Sequence, residues 1–119
     1  MLLSINDNKM VSDLQDKFNE CFPHLKLEFY HKRHKLNHAS LEAQRIKEDL
    51  KVGEIRKIHN SGTLEIKSWD KTGDLEQRFK EEYGLYVQIF RLENEHWVQS
   101  VKSDELTLAE QSEVADTNE

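Results

Sequence analysis

The chain has 119 residues, 36% hydrophobic and 34% charged, with one proline and one cysteine. That describes about one charge-rich globular domain, and it excludes a low-complexity chain or an internally disulfide-bonded one. No apolar run approaches the roughly 18 residues of a membrane-spanning helix, and a net charge of −6 is unlike the basic balance of most nucleic-acid binders.

The charge excess is local. Asp104, Glu105, Glu110, Glu113, Asp116 and Glu119 follow Lys102 without a Lys or Arg among them, and without these acids the charges of the chain balance. Residues 112–119 lack a sustained apolar pattern and read as an acidic, disordered tail. Residues 1–111 read as a single α+β domain. The opening "MLLSINDNKM" has neither the basic start nor the long apolar stretch of a secretory signal, so the expected location is cytoplasmic.

In chain order, "LLSIN" from Leu2 reads as a strand. Val11, Leu14, Phe18 and Phe22 then recur at three- and four-residue spacing, which makes one apolar helix face. Ser12 with Gln15 fits a capping box, and Pro23 disfavours helical geometry at Phe22. Cys21 neighbours the apolar stripe and reads as a small buried hydrophobe. Leu25, Leu27 and Phe29 alternate as a strand does. The stretch "SLEAQRIKEDL" from Ser40 reads as a linker helix, with Ala43, Ile46 and Leu50 on one side and Gly53 as its breaker. Residues 54–58, "EIRKI", fit either a strand or a helix end.

"GTLEIKSW" from Gly62 is the next strand, followed by a helix that opens at Thr72 and Asp74. Leu75, Phe79 and Tyr83 form its apolar face, and Gly84 supplies a left-handed stop. Leu85, Val87 and Ile89 alternate in a strand that "LENE" turns into "HWVQSV".

The second half echoes the first. A constant shift places Leu3 and Ile5 on Leu64 and Ile66, Leu14 and Phe18 on Leu75 and Phe79, and Phe22 on Tyr83. After one deletion, Leu25, Leu27 and Phe29 fall on Leu85, Val87 and Ile89, and "ASLEAQ" matches "LTLAEQ" loosely. The expected organisation is an internal repeat, 2–44 and 62–111, joined by a helix or strand at 45–61. Two such β-α-β units make a ferredoxin-like two-layer sandwich with an extra linker helix. A strand at 54–58 would instead give the order of a ubiquitin-like β-grasp in the second half.

Thr72, Leu75, Phe79, Tyr83, Gly84, Phe90, Arg91 and "DELTLAEQ" from Asp104 together resemble a family of small bacterial α+β proteins. Its pattern is T-x-G-x-L-x-x-x-F-x-x-x-[FY]-G, a strand ending in an aromatic and Arg, and an acidic T-L-A segment. Here Gly73 follows Thr72 directly, where the family pattern has a residue between them. The resemblance implies a bacterial source and a small α+β fold, and it implies neither an activity nor a cofactor.

Two surfaces invite a partner. By alternation Tyr86 and Phe90 point away from the helices, Tyr30 takes the same place in the first half, and Trp69 lies opposite to Leu64 and Ile66. Together with Trp97 they suggest an aromatic surface for a protein partner, on an open sheet face or at an edge strand, or a homodimer contact. The second candidate is basic. Tyr30 stands beside Lys32, Arg33 and Lys35, a grouping that can hold phosphates and stack a base, so nucleic acid is the alternative partner. His31, His34 and His38 have metal-like intervals but no Cys or carboxylate among them, so no metal site is expected. No phosphate loop, nucleophile elbow or HExxH motif occurs, and catalysis at His31, His34 or His59 would need carboxylates that the sequence does not place near them. The chain reads as a non-catalytic interaction module.

Overall fold

The computed structural model describes residues 1–32, 42–100 and 104–117. Its order is β1 (Leu2–Ile5), α1 (Val11–Cys21), β2 (Leu25–Tyr30), two 3-10 turns (Glu42–Gln44 and Val52–Glu54), β3 (Gly62–Glu65), α2 (Thr72–Tyr83), β4 (Tyr86–Glu93), β5 (His96–Gln99) and α3 (Leu108–Thr117). The fold is α+β and is compatible with a two-layer sandwich. The strands divide into two antiparallel sheets, β1-β3 and β2-β4-β5.

The expected apolar faces build the core. Val11, Leu14 and Phe18 of α1 are buried, as are Leu75, Phe79 and Tyr83 of α2, against Leu25, Leu27, Phe29, Val87 and Ile89 of the larger sheet. Phe29 and Phe79 meet edge to face at 6.3 Å, the arrangement that ring quadrupoles favour. Asn94 and Glu95 both take positive φ, 48° and 68°, the two-residue turn whose twist suits a hairpin between β4 and β5.

Several local expectations are corrected. α1 begins two residues earlier than a Ser12 cap requires, with Met10 at the cap, and Asp13 accepts from the Met10 N–H at 2.9 Å. Ser12 instead bonds Asp49, while Gln15 reaches across to Leu27 O. Thr72 is the first helical residue of α2 and not its cap, its hydroxyl donating to Leu106 O at 2.9 Å. Cys21 is exposed. The linker helix is absent over its described part, which holds only the 3-10 turn Glu42–Gln44, and the turn Val52–Glu54 follows beyond it. Ile46 explains the difference: it is buried, and its N–H donates to Phe29 O at 2.8 Å, so the segment runs extended along β2. Residues 55–58 belong to neither strand nor helix, so the β-grasp order does not form.

The acidic tail is also ordered further than expected, since α3 runs to Thr117. Thr107 and Glu110 form a reciprocal capping box, with Glu110 accepting from the Thr107 N–H at 3.0 Å and Thr107 from the Glu110 N–H at 3.1 Å. Leu108, Gln111 and Ala115 supply its buried face.

Hydrogen bonds recur between the two halves. Val11 N–H donates to Leu50 O, as Thr72 N–H does to Leu106 O. Val52 and Gly53 donate to Lys9 O and Asp7 O, as Leu108 and Ala109 do to Asp70 O and Ser68 O. Ile46 N–H reaches Phe29 O, as Ser100 N–H reaches Ile89 O. These bonds match "EDLKVGEI" from Glu48 with "DELTLAEQ" from Asp104, which corrects the looser match to "ASLEAQ". Matched strands pair with each other, Leu3 opposite Leu64 and Glu28 opposite Gln88. That is the geometry of an approximate two-fold axis.

Gly84 stops α2 with φ 64°, and its N–H bonds Lys80 O. A Cβ there would also lie 3.1 Å from Ile58. Gly84→Ala is therefore expected to cost about 1–2 kcal/mol, read as a lowered urea midpoint at unchanged slope.

Candidate functional site

The outward face of the larger sheet carries Lys26, Glu28 and Tyr30 from β2, Tyr86, Gln88, Phe90 and Leu92 from β4, and Trp97 from β5. Its two ends differ. At the β5 end Lys26 Nζ lies over the rings of Phe90 and Trp97, 5.3 and 4.9 Å from their centroids, and Trp97 remains 37% exposed. Toward β2, Tyr30, Glu28 and Gln88 are buried. The linker causes this: Arg45 bridges to Tyr30, His31 N–H donates to Gln44 O, and Arg45 Nη1 lies 3.5 Å from Glu28.

The sequence-derived aromatic surface is therefore only partly assembled. Phe90 and Trp97 come together and Tyr86 is half-buried on the same face, but Trp69 lies elsewhere. It is 68% exposed beyond β3, with Lys67 Nζ 5.5 Å from its ring, beside a shallow cavity shared with Leu2, Cys21 and Phe22. In the basic grouping Tyr30 is too buried to stack a base, its phenol pKa is raised by burial, and its hydroxyl has no hydrogen-bond partner among the described residues. Lys32 is exposed. Arg33 and Lys35, like His34 and His38, lie outside the described residues.

β5 is the end strand of its sheet. Ser100 N–H donates to Ile89 O, so the backbone of Val98 and Ser100 faces β4, and by alternation the N–H and C=O of Trp97 face outward. The side chains of Trp97 and Val98 leave on opposite faces, and both are exposed.

Where β5 ends, the β4 edge that faces it is met by a carboxyl group. Glu76 reaches from α2 to accept from Ile89 N–H at 2.9 Å and from Gln88 Nε2 at 3.1 Å. Its counterpart Gln15 donates to Leu27 O at 3.0 Å on β2. Burial pushes the Glu76 pKa well above the carboxylate range, the Ile89 N–H opposes this, and Asp104 adds to it. Unfolded, a glutamate titrates near about 4.3. The contribution of Glu76 to stability is thus complete below that value and is lost as pH rises through its raised folded pKa. Glu76→Gln keeps an acceptor for Ile89 without a charge to bury. Urea melts should find it more stable than the wild type at about pH 9, the gain vanishing near about pH 4.

A groove of about 910 Å³ opens where the C-terminal end of α2 meets 54–58 and the ends of β2 and β4. Its cations are Lys32, Lys57 and Lys80 with His31 beside them, and its apolar walls are Ile55, Ile58 and the ring of Tyr86. Sequence reading flagged Lys32 and Tyr86 for other surfaces and missed Lys57 and Lys80. Neither carried a signal, since one sits in irregular chain and the other on a charged helix face.

The groove wall is fixed by Asp7. Arg56 has a fully buried side chain, donates to Asp7 Oδ1 through Nη2 at 2.7 Å and through Nε at 3.0 Å, and donates to Tyr83 O through Nη1 at 3.0 Å. His59 Nδ1 stands 2.9 Å from Asp7 Oδ2, which supplies one carboxylate that the sequence did not place. The Arg56 bond, then the His59 bond, hold the Asp7 pKa below its usual value. Its stabilisation is present above the unfolded value of about 3.9 and is lost as pH falls through the lower folded one. Asp7→Asn should lower the melting temperature at neutral pH, with the difference closing below about pH 3.

Among the described residues no group of three His, Cys, Asp or Glu is placed to hold a metal ion, and no helix is long and apolar enough to cross a membrane. Comparison with protein-family models, with curated proteins and with solved structures found no match.

Proposed function

We propose that the chain is a non-catalytic interaction module whose partner is a protein, taken up at the free edge of β5 by strand addition. The observation that carries this reading is the edge itself: Trp97 and Val98 are 37% and 39% exposed on a terminal strand with no described strand beyond it. Unpaired strand edges with apolar side chains recruit an added strand, whose main chain supplies affinity and whose side chains supply specificity. The Lys26–Phe90–Trp97 stack gives the added strand an aromatic floor on one face. The recurring hydrogen bonds support, as part of the same proposal, an origin of the two halves by duplication.

The nucleic-acid alternative has weaker support at its original place, because Tyr30 is buried. Trp97→Pro separates the two. Proline removes the outward N–H without touching the ladder bond at Val98, a position that an edge strand tolerates. Proteins captured from nuclease-treated cell extract by the wild type should be lost with Trp97→Pro, and the complex should protect 96–99 from hydrogen exchange. Capture indifferent to the substitution, or abolished by nuclease, refutes the edge reading.

A further inference from the structure

The basic groove has chemistry of its own, distinct from the β5 edge. Lys32, Lys57 and Lys80 line it, and none of the three is in an ion pair among the described residues. Glu54, the acid in the lining, already accepts from the Lys51 N–H at 2.8 Å. Arg56 is held by Asp7 and Tyr83 O. The groove thus presents three lysines, Lys32 and Lys57 exposed and Lys80 half-buried, around an apolar strip.

The approximate two-fold suggests what such a strip accommodates. In the C-terminal half, the chain that matches Ile55 continues as α3, and Gln111 accepts from Arg91 Nη1 at 2.8 Å. Gln111 is the counterpart of Ile55, and Arg91 the counterpart of His31. In the N-terminal half the chain leaves the helical path after Glu54 to reach β3, and His31 and Ile55 both line the groove. The place taken by an acidic helix in one half is an open basic groove in the other.

We propose that this groove docks an acidic amphipathic helix from a protein partner, with carboxylates toward Lys32, Lys57 and Lys80 and an apolar side toward Ile55, Ile58 and Tyr86. A helix about 10–12 Å across matches a groove of this volume over roughly two turns. Lysines are point charges on flexible stems, which suit carboxylates spread along a helix better than one phosphate, for which an exposed arginine fork or backbone cradle is the stronger device. α3 of a second copy is not the occupant, because Leu108, Gln111 and Ala115 are already buried within its own fold.

The test titrates the full chain with a synthetic helix of repeating Glu, Leu and Ala. Parallel titrations use its Glu→Gln version, an oligothymidylate of equal charge and inorganic phosphate, all followed by calorimetry and amide shifts. The acidic helix should bind with shifts centred on His31, Ile55, Ile58 and Tyr86. Affinity should fall at least about tenfold with the Glu→Gln helix and with the combined Lys32→Ala, Lys57→Ala and Lys80→Ala variant. If the combined variant melts early, Lys57→Glu alone serves, with binding regained by a helix carrying Lys in place of one Glu. Failure of the acidic helix to bind, shifts centred elsewhere, binding indifferent to the lysines, or tighter binding of oligothymidylate or phosphate would each overturn the proposal.

Discussion

The ladder between β2 and β4 is the constraint on which the rest of this structure depends. Six residue pairs run from Leu25 opposite Arg91 to Tyr30 opposite Tyr86. One face of the ladder is apolar and buried up to the half-buried Arg91 at its end, while the other carries Glu28 opposite Gln88 at its centre, both buried as well. A sheet buried on both faces cannot leave its outer backbone groups unpaired, because each would lose its bond to water. Here helix side chains and the linker meet that requirement together. Gln15 and Asn19 cap Leu27 O and Leu25 O, Ile46 takes Phe29 O, and Glu76 takes Ile89 N–H. Polar residues on helix faces that the hydrophobic pattern treats as solvent-facing are thereby drawn inside.

The two halves share this scheme and differ where it ends. After β4 the chain makes a tight hairpin and β5 pairs over four residues; after β2 the corresponding return is the Arg45 bridge and the Ile46 bond. After "EDLKVGEI" the chain crosses to β3, whereas "DELTLAEQ" leads into α3, which runs to Thr117. Both surfaces proposed for binding arise from these departures. The β5 edge exists because the hairpin ends the sheet there, and the basic groove exists because the first half lacks a counterpart to α3. Charge follows the same division, since α3 brings Glu110 and Glu113 without a base and the crossing segment brings Arg56 and Lys57.

Much of the fold was legible in the sequence. Three- and four-residue spacing located both long helices and their buried faces, alternation located β2 and β4, and Gly84 and "LENE" located a stop and a turn. These signals are local: a helix face or a strand alternation is written within ten or so neighbouring residues, and burial of the apolar side follows from its avoidance of water. The capping box of Thr107 and Glu110 was equally local. It carried enough information to extend α3 into the acidic tail, where charge alone suggested disorder.

What tertiary structure decided was everything that needs two distant segments to meet. The division into two sheets, the extended path of a linker that reads as a helix, and the burial of Tyr30 beneath it depend on which strand edge the linker finds. The same holds for the partners of Asp7 and Glu76, which lie 49 residues away in Arg56 and on another element in Ile89. No periodicity encodes such meetings, because they are selected by the summed packing and hydrogen bonding of the whole chain. The groove formed by Lys32, Lys57 and Lys80 is of this kind: three ordinary surface lysines in the sequence, brought to one place only by the fold.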